Sequence, residues 1–159
     1  MESQRSAAAS LKSVAFFKDV SSQALERLVA QVKLKSYPAG PIVKENDSSV
    51  GGLYVIKTGM ARVAKRAEAG MAIGSRPTGG SGAEAVLALL KPGDTFGELS
   101  LIDGQPRSAT VSALQPMEVY YLEREAFLDV LKTNPDIAVA MLPALAAMVR
   151  NANRWVAAS

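Results

Sequence analysis

The sequence predicts a mainly β domain with flanking helices, a sandwich or jelly roll, and three observations carry that prediction. Between residues 34 and 122, short runs of aliphatic, β-branched and aromatic residues alternate with clusters of Gly, Pro, Asn, Asp and Ser at roughly eight- to twelve-residue intervals. On either side of that region the apolar residues recur at helical spacing. The composition, 48% hydrophobic and 21% charged, is that of a chain able to bury a core, which excludes wholesale disorder. A length of 159 residues suits one domain and is short for two. We therefore expect a single domain over 1–159, with helices over 10–31, strands over 32–122 and two C-terminal helices over 123–156.

Residues 1 to 9 are rich in Ser and Ala with a lone Arg5, and a frayed end is expected there. Leu11, Val14, Phe16 and Phe17 form an apolar cluster fit for a short helix. Asp19, Ser21 or Ser22 caps the next helix, in which Ala24, Leu25, Leu28, Val29 and Val32 fall on helical spacing. From Leu34 the period changes. Tyr37-Pro38-Ala39-Gly40-Pro41 is a turn, because closely spaced prolines and a glycine cannot continue a helix. Ile42 and Val43, then 53–56, then 61–63 read as short strands, with turn chemistry from Glu45-Asn46-Asp47-Ser48-Ser49 and Lys57-Thr58-Gly59.

Residues 67 to 85 hold glycines at 70, 74, 79, 80 and 82 and a proline at 77 among few large apolar residues, so they read as a long mobile loop. Lys65 and Arg66 before it and Arg76 within it make it slightly basic. Residues 86–90 form a strand, and 108–113 and 117–122 a final pair of strands. Phe127, Leu128, Val130 and Leu131 give 123–131 a helical period. Thr133-Asn134-Pro135-Asp136 ends that helix and starts another, since Pro suits a first helical position and Asn or Thr before it can cap. The last helix, 136 to about 156, is apolar nearly all round over 137–149, a run too short to cross a bilayer. It is expected to bury one side on the domain and another on a partner, most simply a second copy in a homodimer. Pro143 lacks an N–H, and a kink or break is expected there.

The chain has no Cys and no His. That excludes thiol nucleophiles, Ser-His-Asp triads, His-based metal sites, Cys-ligated clusters and His-ligated haem. The remaining carboxylates show no ligand spacing, so no enzyme is expected. A net charge of +3 is too slight to argue for nucleic acid and suits an anionic ligand equally well. The first apolar patch is interrupted by Lys12 and Lys18 and is too short for a secretory core. The expected location is the cytoplasm, with no membrane attachment and no direct DNA binding.

Residues 92 to 111 carry the chemistry. Their ends read as extended chain, and their middle as a short helical turn followed by a Gly/Pro loop that brings Arg107 back towards the turn. Backbone N–H groups around Leu99 and Ser100, free at the start of such a turn, attract an anion. Arg107 offers a fork of donors matched to phosphate oxygens, while Ser108 and Ala109 add a hydroxyl and further N–H groups. Glu98 would be repelled by a phosphate unless it served a sugar hydroxyl. A phosphate and a ribose hydroxyl in one pocket describe a nucleotide. Taken alone, Glu98 and Arg107 read better as a surface ion pair; it is the resemblance of the whole stretch to a known phosphate-binding cassette that reverses that preference.

Phe96-Gly97-Glu98-Leu99-Ser100-Leu101 and Pro106-Arg107-Ser108-Ala109-Thr110-Val111 resemble the phosphate-binding cassette of the cyclic-nucleotide-binding domain family, which includes bacterial catabolite activators and regulatory subunits of the cAMP-dependent kinase. Pro38-Ala39-Gly40, Asn46-Asp47, Leu53-Tyr54-Val55-Ile56 and Gly59 extend the resemblance over roughly residues 11 to 155; the 67–85 stretch departs from it. The resemblance implies an eight-stranded β-roll, a double-stranded jelly roll, with N-terminal helices, two C-terminal helices, and cAMP or cGMP as ligand without further cofactor. By resemblance, Glu98 and the Gly97 backbone take the ribose 2′-hydroxyl, Arg107 the cyclic phosphate, and the N–H groups of Ser100, Ser108 and Ala109 its oxygens. Ser at 108 fits bacterial cAMP binders and leaves cGMP open.

Val55, Leu87, Leu89, Phe96, Leu99 and Leu101 are expected to wall an apolar slot for the base, although each also suits plain core. Where catabolite activators touch adenine from their last helix, this chain has Ala152 and Asn153. Ala152 has no polar tip; Asn153 has one, and Arg150, Arg154 and Trp155 are alternative lids. The expected function is a sensor whose ligand orders the cassette and moves the C-terminal helix against an unidentified protein partner. A nucleotide-free interaction module, and a fragment of a transcription regulator or channel, stay open as alternatives.

Overall fold

The helical period of the sequence ends at Val32, and the first strand begins one residue later. The computed structural model describes residues 2–43, 51–66, 84–105 and 109–158. The order is α1 (Glu2–Lys12), a 3-10 turn (Ala15–Phe17), α2 (Ser22–Val29), β1 (Lys33–Tyr37), β2 (Gly40–Val43), β3 (Gly52–Thr58) and β4 (Ala61–Arg66). It continues with β5 (Glu84–Leu90), β6 (Thr95–Phe96), α3 (Glu98–Asp103), β7 (Thr110–Ala113), β8 (Met117–Glu123), α4 (Arg124–Thr133) and α5 (Pro135–Ala158). Two compact units result, one of residues 34–124 and one of 1–33 with 125–159.

The β unit is a roll of two four-stranded sheets, ordered β1-β8-β3-β6 and β2-β7-β4-β5. Alternate residues from both sheets meet in one core that includes Val43, Ile56, Ala61, Val111, Ala113, Met117 and Val119. The expected final pair of strands does not pair with itself. β7 lies between β2 and β4, whereas β8 lies between β1 and β3. Residues 114–116 carry the chain from one sheet to the other, and the Leu114 N–H donates to the Met60 carbonyl (2.9 Å) at that crossing. Val111 and Ala113 thus reach the core from one sheet while Met117, Val119 and Tyr121 reach it from the other.

An aromatic ladder crosses the first sheet. Lys35 on β1 lies 4.0 Å from the centre of the Tyr121 ring on β8. Tyr121 packs on Tyr54 of β3 with ring centres 4.7 Å apart, and Tyr54 stacks on Phe96 of β6 at 4.5 Å and 5°. Tyr54 is in register with both partners, so the ladder follows the hydrogen-bonded pairing of the strands. Gly52 makes it possible, because a Cβ there would overlap the Tyr121 ring.

In the helical unit, the expected frayed end is instead α1, whose Ala-rich sequence has high helix propensity and whose Ala7 and Leu11 are buried one turn apart. α1 packs on α2, which Ser21 caps by accepting from the Ala24 N–H (3.2 Å). Phe17 meets Phe127 of α4 with ring centres 6.1 Å apart. Between α4 and α5 the buried Asn134 donates its side-chain amide to the Val130 carbonyl (3.0 Å), satisfying the end of α4. α5 runs through Pro143 without a break. Val139 and Pro143 are both exposed, so the carbonyl deprived of its helical donor lies where water can reach it. No helix among the described residues is long and apolar enough to cross a membrane. The expected loop lies outside the described residues over 67–83, and its last two positions begin β5.

Replacing Gly52 by Ala should lower the unfolding free energy by about 1–3 kcal/mol, the usual range for overpacking. Urea denaturation of G52A measures this, and an unchanged midpoint would show that the ladder does not depend on that gap.

Candidate functional site

The candidate site grows from the turn that joins β5 to β6. Gly93 donates to the Ile56 carbonyl (2.8 Å), and the Ile56 N–H donates to the Asp94 carbonyl (2.9 Å), fastening the turn to β3. Within it, the Asp94 carboxylate accepts from the Lys91 backbone N–H (3.0 Å) and lies 3.4 Å from the Lys91 ammonium. β6 then pairs with β3, matching Phe96 to Tyr54 and Thr95 to Val55. Gly97 follows at φ 84°, a left-handed conformation that a side chain would strain, and its carbonyl accepts the Leu101 N–H (3.0 Å) as α3 begins. The reversal places Thr95 to Ser100 along one edge of a cavity of about 230 Å³.

The end of α3 is fixed as firmly as its start. Gly104 closes it by donating to the Ser100 carbonyl (2.9 Å), and Ser100 Oγ donates to the Gln105 carbonyl (3.1 Å). Arg124, the residue that follows β8, donates from Nη2 to the Ile102 carbonyl (3.3 Å), setting a cation at the negative end of the short helix. Much of the lining is apolar: Val43, Val63, Leu90 and Val111 join Phe96 and Leu99. A negatively charged side chain, open amides and an apolar wall can together hold a polar, partly aromatic molecule in a fixed orientation. Among the described residues no cluster of three or more acidic groups is placed to hold a metal ion.

Of the residues singled out in the sequence, Phe96, Gly97, Glu98, Leu99, Ser100 and Ala109 all border this cavity. Arg107 and Ser108 lie outside the described residues, as does the side chain of Asn153, whose backbone is in α5. Four expected wall residues are elsewhere. On β5 Leu90 faces the cavity, so alternation puts its neighbour Leu89 on the other face, and Leu87 is the unpaired residue of a bulge between Ala88 and Val86; they are 59% and 58% exposed and neither lines the cavity. Val55 is buried, but it alternates with Tyr54 and Ile56, which occupy the core side of β3. Leu101 is likewise buried and does not line the cavity. Sequence reasoning missed Thr95, Val43, Val63, Leu90 and Val111. For Thr95 a signal was present, a hydroxyl three residues before the acid.

The geometry can be set beside known proteins. A family model described as a cyclic nucleotide-binding domain matches residues 34–134. A CRP-like cAMP-activated global transcriptional regulator of Mycobacterium tuberculosis is 26% identical over 141 residues, which cover 89% of this chain and 58% of the relative. The crystal structure of the N-terminal domain of a transcriptional regulator from Streptomyces coelicolor has a TM-score of 0.72 at 26% identity, covering 89% of this chain and 91% of that one. The Thermus thermophilus catabolite activator protein has a TM-score of 0.68 at 28% identity, covering 89% of this chain and 61% of that one. The chain therefore spans about three-fifths of the length of the mycobacterial and Thermus proteins.

The turn that carries this site has its own acid sensitivity. The Lys91 backbone N–H holds the Asp94 carboxyl below its ordinary value; desolvation opposes this, and the Lys91 side chain adds to the lowering. A lowered carboxylate value stabilises the fold above the unfolded value and ceases to do so as pH falls through the folded one. Asp94→Ala should therefore unfold at lower urea than the parent at pH 7, and the gap should narrow below the ordinary aspartate range. A gap independent of pH between 7 and 3 would assign the effect to backbone geometry alone.

Proposed function

This chain belongs to the cyclic nucleotide-binding domain family, and from that premise we propose that it is a regulatory sensor whose cavity takes cAMP or cGMP. The observation that supports the reading best is the gathering of Gly97, Glu98, Ser100 and Ala109 on one cavity with an apolar wall. In this reading the Glu98 carboxylate and Gly97 backbone accept and position the ribose 2′-hydroxyl. Arg107 and Ser108 come from the stretch that follows Gln105, Arg107 for the cyclic phosphate and the amides of Ser100, Ser108 and Ala109 for its oxygens. Phe96, Leu99, Leu90 and Val63 pack on the sugar and base. The cAMP-activated relative and Ser108 favour cAMP over cGMP.

The proposed role is sensing, with neither catalysis nor direct DNA contact assigned to these residues. Ligand binding changes the output only if the ligand makes different contacts in two states of the protein, and the proposed output element is α5. Ile137, Met141 and Ala144 form the buried face of that helix, while Val139, Leu142 and Val149 form an opposite stripe that is 64%, 58% and 61% exposed. An exposed apolar stripe at i, i+3 and i+10 is the face of a helix that lacks a partner, and the proposed partner is a second copy.

Titration calorimetry should detect a complex with cAMP, cGMP or both, and Arg107→Ala should weaken it by on the order of 2–5 kcal/mol. Absence of heat with both nucleotides at millimolar concentration would overturn the sensor reading. Sedimentation should show a dimer that becomes a monomer when Val139 and Leu142 are both replaced by Glu; a monomeric parent would remove the dimer from the account.

A further inference from the structure

We propose that Thr95 is a positioning residue for Glu98, so that the ribose hydroxyl is read by the pair and not by the acid alone. The inference rests on the cyclic-nucleotide reading of the cavity and adds to it a residue that sets its specificity. Thr95 Oγ1 donates a hydrogen bond to Glu98 Oε1, and both residues border the cavity.

The restraint runs from Thr95 to Glu98. Thr95 is β-branched, with few side-chain conformations open to it, and its backbone is held in register opposite Val55. The next residue, Phe96, is stacked on Tyr54. Glu98, by contrast, stands at the first position of a six-residue helix on a side chain with three rotatable torsions, half-buried at the cavity edge. Among the described residues Thr95 is the donor that this carboxylate meets. A threonine hydroxyl has a single proton, and here it is given to one carboxylate oxygen. The other oxygen keeps its lone pairs for an incoming donor, which is what a sugar hydroxyl supplies. Without Thr95 the carboxylate must be ordered anew at each binding event, and only ligands that use it are penalised.

That last property separates positioning from a general structural role. Affinities would be measured by calorimetry for cAMP or cGMP, whichever the parent binds, and for its 2′-deoxy analogue. Thr95→Val should weaken the ribonucleotide roughly 3- to 10-fold, the effect of leaving one long side chain unordered, and should leave the 2′-deoxy analogue unchanged. Thr95→Ser should restore parental affinity, and Thr95→Val should add nothing in an Glu98→Ala background. Equal weakening of both ligands, no weakening of either, or failure of the serine variant to rescue would overturn the proposal. A parent that binds neither nucleotide overturns the cyclic-nucleotide reading and this inference with it. A parent that prefers the ribonucleotide, with the preference intact in Thr95→Val, overturns this inference alone.

Discussion

The stacked rings of Tyr54 and Phe96 fix where the cavity begins. β6 is only two residues long, too short to be held by ladder hydrogen bonds alone, and the ring contact at 4.5 Å and 5° fastens it to β3. One residue further on the backbone reverses at Gly97, and the next residue is Glu98. A rigid sheet therefore places an acid and the start of a helix within two residues of an anchored aromatic ring. The turn before β6 reinforces this, since Gly93 and Asp94 both bond to Ile56 on the strand that carries Tyr54. Preorganised groups of this kind lose little conformational freedom when a ligand arrives.

Much of this was legible because its causes are local. Gly97 and Gly104 stand at positive φ around the short helical turn and Gly/Pro loop expected there, and Ser21 and Pro135 stand at helix starts where their chemistry requires. What was not legible depends on partners distant in sequence. Leu87 and Leu89 do not line the cavity because the faces of β5 are set by its pairing with β4, in which Leu89 lies opposite Arg62 and Leu87 is left unpaired where the register shifts. The division of β7 and β8 between sheets is likewise a matter of non-local pairing, invisible to strand periodicity. A Ser- and Ala-rich end suggests fraying, whereas in α1 the burial of Ala7 and Leu11 favours the helix, a contact that local composition does not reveal. Thr95 was passed over because a hydroxyl in a strand is usually unremarkable, and only its meeting with Glu98 gives it a role.

The family assignment and the site geometry support each other without being the same argument. The matched region, 34–134, includes both sheets and the whole cavity edge, so the assignment covers the part of the chain where a ligand would be held. α5 runs beyond that region, and its two faces differ in burial rather than in apolar character. The mycobacterial and Thermus relatives are longer than the region matched here.

The most direct test of the central claim is an amide chemical-shift titration with cAMP and with cGMP. The account predicts that the N–H signals of Gly97, Glu98, Leu99, Ser100 and Ala109 shift first and most with at least one of the two, in a saturable manner. Saturation with those signals unmoved, or the largest shifts on residues remote from the cavity, would contradict it.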